Sequence, residues 1–315
     1  MRRVRRGWTI SGLVGLAVLP ALIIGGVSFG RPSAEPTSNT STLSSAQPVS
    51  RTLTVPQLPF GGTTIYPGRT LVAYYGTAGT GSLGVLGEGT IPQMTRRLRQ
   101  QAAGYARPDR PADIVYELIV TVADGSAGPD GDFSHDISRD KVESFIRAAH
   151  QNKALLVLDL QPGRTDFLTV AKRWAWALKD PWVSLALDPE WRMGPHEIPA
   201  QTIGSVSAAE INRTSMWLET LTKMNHLPEK LLMIHQFRTT MVTNIGLVQN
   251  RPHLVELQHV DGFGTRAQKL ATYHAVERDP QFRMGFKLFY HQDVNMFRPA
   301  DVFRIRPTVR FVSYQ

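Results

Sequence analysis

The chain of 315 residues contains no cysteine. That absence excludes a disulfide framework, a cysteine nucleophile, thiolate zinc sites, cysteine-ligated iron–sulfur clusters and a lipid-modified N-terminal cysteine. Other signals are missing as well. There is no internal repeat, and no Lys-Ser/Thr pair follows a glycine-rich loop as a Walker motif requires. His150, His196, His226, His253 and His274 lack the His-x-x-x-His spacing of a catalytic zinc site. Basic residues are scattered without the aromatic interleaving of a nucleic-acid surface. No nucleic-acid partner, metal or cofactor is therefore expected. The charge excess is also small. Lys and Arg number 35 against 26 Asp and Glu, a net +9, and four of those nine charges are Arg2, Arg3, Arg5 and Arg6. The five left over suit an anionic membrane or cell-wall surface. With 42% apolar and 19% charged residues, the chain is globular and long enough to bury a sizeable core.

Residues 1–30 read as an export segment. The arginines precede an uncharged apolar run from Trp8 to Phe29, about the length of a bilayer-crossing helix. The run exceeds a usual signal-peptide core, and only Pro32-Ser33-Ala34 offers a weak cleavage site, so an uncleaved signal anchor is expected over a removed signal peptide. Either way the folded part lies outside the cytoplasm, tethered to the membrane or, after cleavage, secreted. Twelve of residues 31–50 are Ser, Thr or Pro, a composition that cannot bury enough surface to order itself. Residues 31–69 are thus a linker and N-terminal extension. The sequon Asn212-Arg213-Thr214 falls in a strongly helical stretch and carries little weight.

From residue 70 onward, strand-sized apolar runs alternate with amphipathic or loop segments. The runs are Leu71–Tyr75, Ile114–Ala123, Ala154–Leu160, Val183–Leu187, Leu231–Phe237, Leu254–Val260, Met284–Tyr290 and Val309–Tyr314. Near-continuous apolar strands are what a parallel sheet covered on both faces requires. Helices are expected at Pro92–Tyr105, Lys141–Gln151, Phe167–Leu178, Ala208–Met224 and Arg266–Arg278, with only short ones at 241–250 and 299–305. Eight such strands with helical crossovers predict a (β/α)8 TIM barrel over 70–315; an open doubly wound sheet is the competing architecture. The final helix is missing after the eighth run, and residues 51–69 are expected to cover the bottom or side of the barrel.

Barrel active sites gather at the C-terminal ends of the strands. Alternation there puts Val157, Asp159 and Gln161 on one face, and Ser184, Ala186, Asp188 and Glu190 on another. Pro189 is expected to hold Asp188 extended, so that the alternation reaches Glu190 beside Trp191. Paired carboxyls of this kind serve glycosidic cleavage, one protonated to donate to the leaving oxygen and one ionised to stabilise the developing cation. Glu190 is the candidate acid, Asp188 its partner and Asp159 a third carboxyl; capping, or ion pairs with Arg192 or Lys287, is the structural alternative. Tyr74, Tyr75, Trp191, His235, Gln258, Asp261 and Tyr290 close other runs and are candidate substrate contacts, because sugars stack on aromatic faces and bond planar polar groups. Glu117 and Lys287, buried within their strands, are expected to pair with each other.

The stretch Leu71-Val72-Ala73-Tyr74-Tyr75-Gly76, followed by Asp188-Pro189-Glu190-Trp191, resembles the first and fourth strands of family 18 glycoside hydrolases and their sugar-binding relatives. In that family the fourth strand ends in acids at alternate positions, and the final glutamate is the acid; the resemblance assigns that role to Glu190. Ser184 and Ala186 stand at the two earlier acidic positions, and Asp159-Leu160-Gln161-Pro162-Gly163 replaces the family's third-strand Ser-x-Gly-Gly. The expected function is an exported, membrane-tethered, glycoside-hydrolase-like protein acting on an envelope or extracellular polysaccharide. The alternative is a non-catalytic carbohydrate-binding or structural envelope module, which the two missing acids favour. Gly79-Thr80-Gly81-Ser82-Leu83-Gly84 fits a dinucleotide fingerprint, but Gly87, Gly89 and Pro92 prevent a helix from opening after it, so a loop over the barrel mouth is expected. Asp124, Asp130, Asp132 and Asp136 do not match calcium-loop spacing and read as a solvated rim.

Overall fold

The computed structural model describes residues 56–66 and 68–315. The export segment and the Ser/Thr/Pro tether lie outside the described residues. Among the described residues, no helix is long and apolar enough to cross a membrane.

Eight parallel strands close on themselves: β1 (Thr70–Gly76), β2 (Ala112–Ala123), β3 (Leu155–Leu160), β4 (Val183–Leu187), β5 (Lys230–Gln236), β6 (Leu254–Val260), β7 (Arg283–Leu288) and β8 (Val309–Tyr314). Each pairs with its sequence neighbours, and β8 returns to β1 through Leu71↔Phe311 to Tyr74↔Tyr314. This is the TIM barrel that the rhythm of apolar runs predicts, and closure leaves no sheet edge to protect. A short strand at Ser134–Asp136 adds antiparallel to the end of β2.

The crossovers are α1 (Ile91–Ala103), α2 (Arg139–Asn152), α3 (Phe167–Arg173), α4 (Ala175–Leu178), α5 (Ala208–Met224), α6 (Arg266–Val276) and the single turn α7 (Pro299–Val302). Their starts are set locally. Thr90 with Gln93 and Thr265 with Gln268 form capping boxes that satisfy the first free N–H groups of α1 and α6. The helix expected at Phe167–Leu178 is instead two pieces divided at Trp174, whose indole N–H donates to Thr121 Oγ1 at 3.0 Å.

Strand alternation divides the core in two. One set of side chains packs outward under the helices; the other, including Leu71, Val115, Leu155, Leu231 and Phe311, fills the barrel. Leu58 and Ile65, from the segment before β1, are buried against this inner set. The Ile65 N–H donates to Glu229 Oε2 at 2.7 Å, and the Trp182 indole donates to the Gln57 carbonyl at 2.8 Å. The described part of the extension therefore plugs the N-terminal end of the barrel, as expected.

Candidate active site

Along the barrel axis the inner side chains change character. The lower layers are apolar, whereas the upper ends of the same strands carry Tyr75, Glu117, Asp159, Asp188, His235, His259, Lys287 and Ser313, all buried. Above them opens a cavity of about 520 Å³. Its lining comes from the C-terminal ends of all eight strands: Tyr75, Ile119, Gln161, Asp188, Glu190, Trp191, Phe237, Arg238, Asp261, Phe263, Lys287, Phe289 and Gln315 among others. Aromatic walls with a few convergent charged groups are the usual make-up of a small-ligand or sugar site.

Asp188, Glu190, Trp191, Tyr75 and Asp261 are thus brought together, while Asp159 and His235 lie just beneath, fully buried. The local route to Glu190 differs from simple alternation. β4 ends at Leu187, and Pro189–Trp191 forms a 3₁₀ turn. Proline suits a first helical position, so it starts a turn here and does not prolong the strand; the turn still delivers both carboxyls and the indole to one cavity.

Three predicted contacts face elsewhere. Gln258 points outward, its amide donating to Gln236 Oε1 and to the Val276 carbonyl, each at 2.7 Å. Tyr74 also faces outward, edge-on to Tyr314 at 6.4 Å between centroids. Tyr290 stacks on Tyr314 at 5.4 Å and donates to Gln101 Oε1. The expected Glu117–Lys287 pair does not form either. Glu117 meets His235, with Nε2 and Oε1 3.1 Å apart. Lys287 Nζ sits 3.3 Å from the Tyr75 ring centroid, where the quadrupole of the ring compensates a buried ammonium. Arg192 pairs with Glu210 at 3.0 Å, leaving Glu190 to the cavity.

The hydrogen-bond chain at the floor is short. Gln161 donates to the Tyr75 hydroxyl, which donates to Asp159 Oδ2, both at 3.1 Å. His235 Nδ1 lies 3.0 Å from Asp261 Oδ2, and His259 Nε2 lies 2.6 Å from Ser313 Oγ. Burial, reinforced by the charge of Asp261, raises the Glu190 carboxyl to about 7, against the opposing pull of Lys287, His235 and Arg238. Burial also lifts Asp159 to about 6, with His235 opposing and Glu117 adding. Asp188 is pushed well above the ordinary carboxylate range by burial and by Asp159, Glu190 and Asp261. Burial alone would discharge His235; Asp261, Glu117, Asp188 and Asp159 outweigh it and hold the imidazole well above its usual value. His259 goes the other way, driven down by burial and by His235 and the nearby lysines. Acids separated in this way, some neutral near pH 7, are what acid/base chemistry requires.

Phe237, Phe263, Phe289 and Arg238 are lining residues that the sequence reading passes over; each lies just past a strand end, the one signal that could have marked it. The glycine-rich segment forms two 3₁₀ turns, Gly81–Leu83 and Val85–Gly87, beside the mouth, with Leu83 in the cavity wall. Gly84 has φ +140, and a Cβ there would collide with the Tyr75 carbonyl, so the turn needs glycine to pack on the end of β1. Among the described residues, Glu117, His235 and His259 form a buried group with metal-binding geometry. In comparisons with known proteins, no family model matches the chain and no curated protein matches it.

Proposed function

We propose that the protein is an exported, membrane-tethered barrel hydrolase that cleaves glycosidic bonds in an envelope or extracellular polysaccharide. The observation that supports this most is Glu190 itself: a carboxyl raised to about 7, in an aromatic-walled cavity that also holds Asp188 and Asp261. Glu190 in its neutral form donates a proton to the leaving oxygen. Asp261, tied through Oδ2 to His235, presents the second carboxyl toward the developing cation, and burial together with the charge of Asp261 keeps Glu190 from ionising early. Trp191 and the half-open ring of Phe263 supply stacking faces for sugar rings. Asp159, held by the Tyr75 hydroxyl, supports the floor.

The test is product release from a panel of glycans by the full-length protein, read by mass spectrometry. Glu190→Gln is expected to lower the rate by about 10²–10⁴, the usual contribution of a positioned general acid. Equal rates in the two proteins would overturn the assignment.

One observation favours a second reading, binding without cleavage. Ser184 stands where family 18 carries an acid, and its hydroxyl accepts the Leu231 N–H at 3.0 Å, a structural task. Glycan retention without product, abolished by Trp191→Ala, is the outcome that supports this reading.

A further inference from the structure

Beneath the cavity floor lies a group of side chains that proton transfer to a leaving oxygen does not use. Glu117 of β2, His235 of β5 and His259 of β6 point into the barrel and are sealed from solvent. One donor atom of each lies within 4.8 Å of the others. Buried polar atoms are costly unless paired, so each calls for a partner. On one side the partners are present. His235 Nδ1 is tied to Asp261 Oδ2, and His259 Nε2 to Ser313 Oγ. On the other side they are missing. Among the described residues, His235 Nε2, His259 Nδ1, both oxygens of Glu117 and Oδ1 of Asp159 have no hydrogen-bond partner.

A ring nitrogen fixed by a carboxylate or hydroxyl, with the opposite nitrogen free, is how proteins orient imidazoles that bind metal. Two further details fit. His235 Nε2 is 3.1 Å from Glu117 Oε1 but out of line for an N–H···O bond. That is close to the separation of two neighbouring ligands on one tetrahedral ion, about 3.3 Å for bonds of roughly 2.0 Å. In β7, a Cβ on Gly285 would collide with His259 Nδ1, so glycine keeps that nitrogen's side of the axis open. Asp159 Oδ1 lies 3.9 Å from His235 Nε2, beside the group and outside its set of mutually close donors.

We propose that Glu117, His235 and His259 bind one divalent first-row transition-metal ion of the zinc class on the barrel axis. Two imidazoles and one carboxylate are a borderline nitrogen–oxygen donor set that suits zinc and its neighbours, three protein ligands with one position left open. The rival arrangement is an imidazolium at His235 facing Glu117. It neutralises one acid but leaves His259 Nδ1 and the second Glu117 oxygen unused; an ion engages all of them. The two readings share the Asp261–His235 bond and fail separately, because Glu190, the acid, is not a ligand.

The experiment is metal analysis of the full-length protein after Zn²⁺ loading and exhaustive dialysis, with Co²⁺ substitution as a spectroscopic probe. Expected are one retained ion per chain and the visible absorption of tetrahedral Co²⁺. His259→Ala and Glu117→Gln are each expected to weaken retention by at least about 10–100-fold, the range already known for outer-shell partners. Glu190→Gln is expected to retain the ion in full. X-ray absorption of the loaded wild type should show two imidazole nitrogens, a readout that stands if a ligand variant fails to fold. A wild type that retains no ion, or a folded His259→Ala protein that retains it equally well, overturns the proposal.

Discussion

The two halves of the barrel interior share strands and are built from opposite chemistry. Near the N-terminal end, Leu71, Val115, Leu155, Leu231 and Phe311 close on the plug of Leu58 and Ile65, a dry contact with every side chain buried. Near the C-terminal end, two or four residues further along the strands and on the same face, the interior holds carboxyls, imidazoles, a lysine and a tyrosine. Many of the upper polar atoms have no partner among the described residues. The lower half gains free energy by excluding water; the upper half holds groups in protonation states that water would not allow, and the packing below it offsets that cost.

The contrast predicts opposite responses to substitution. Leu155→Ala in the lower half should lose about 2–5 kcal/mol of stability by leaving a cavity. Its rate, measured on the folded fraction, should stay unchanged; a denaturant melt paired with a turnover assay checks both. Asp188→Asn in the upper half should do the reverse, abolishing turnover while leaving the melting midpoint at or above that of the wild type, because the amide cannot ionise beside Asp159, Glu190 and Asp261 and its volume is nearly that of the acid. A loss of stability there would erase the distinction between the halves.

The pH response sharpens the comparison. Glu190 must be protonated to act, so the rate should fall about tenfold per pH unit above its value of about 7. Its folded value is raised above the unfolded one, so the native state binds more protons between about 4.5 and 7. Stability should therefore be greatest below that window and decline as pH rises through it; Glu190→Gln should flatten the rate curve and make the stability decline shallower, the remainder belonging to Asp159 and Asp188. A smaller effect is expected at the rim. Phe263 is 64% exposed, so Phe263→Ala should cost only about 0.5–1.5 kcal/mol of substrate affinity through lost stacking. It should appear in KM with no change in melting temperature.

The barrel was legible because eight apolar runs, each separated from the next by a helical or loop crossover, have few other ways to be covered on both faces. The site was half legible. Strand ends drew attention to Asp188, Glu190, Trp191, Tyr75 and Asp261, which line one cavity. Tyr74, Gln258 and Tyr290 sit equally near strand ends and face the helices or the surface. A strand buried on both faces carries no polar–apolar alternation to reveal which residue points inward. The same blindness affects Lys287: the sequence shows a buried cation in need of a partner, and only the closed sheet sets it over the Tyr75 ring.

By itself the sequence determined the repeating strand–helix order, the starts of the capped helices and the acids at the ends of β3, β4 and β6, because those depend on residues a few positions apart. Tertiary structure alone decided the inward parity of each strand and the meeting of Glu117, His235 and His259. Those residues are far apart in the chain, and their approach follows from the register of a closed barrel, which fixes all eight strands at once.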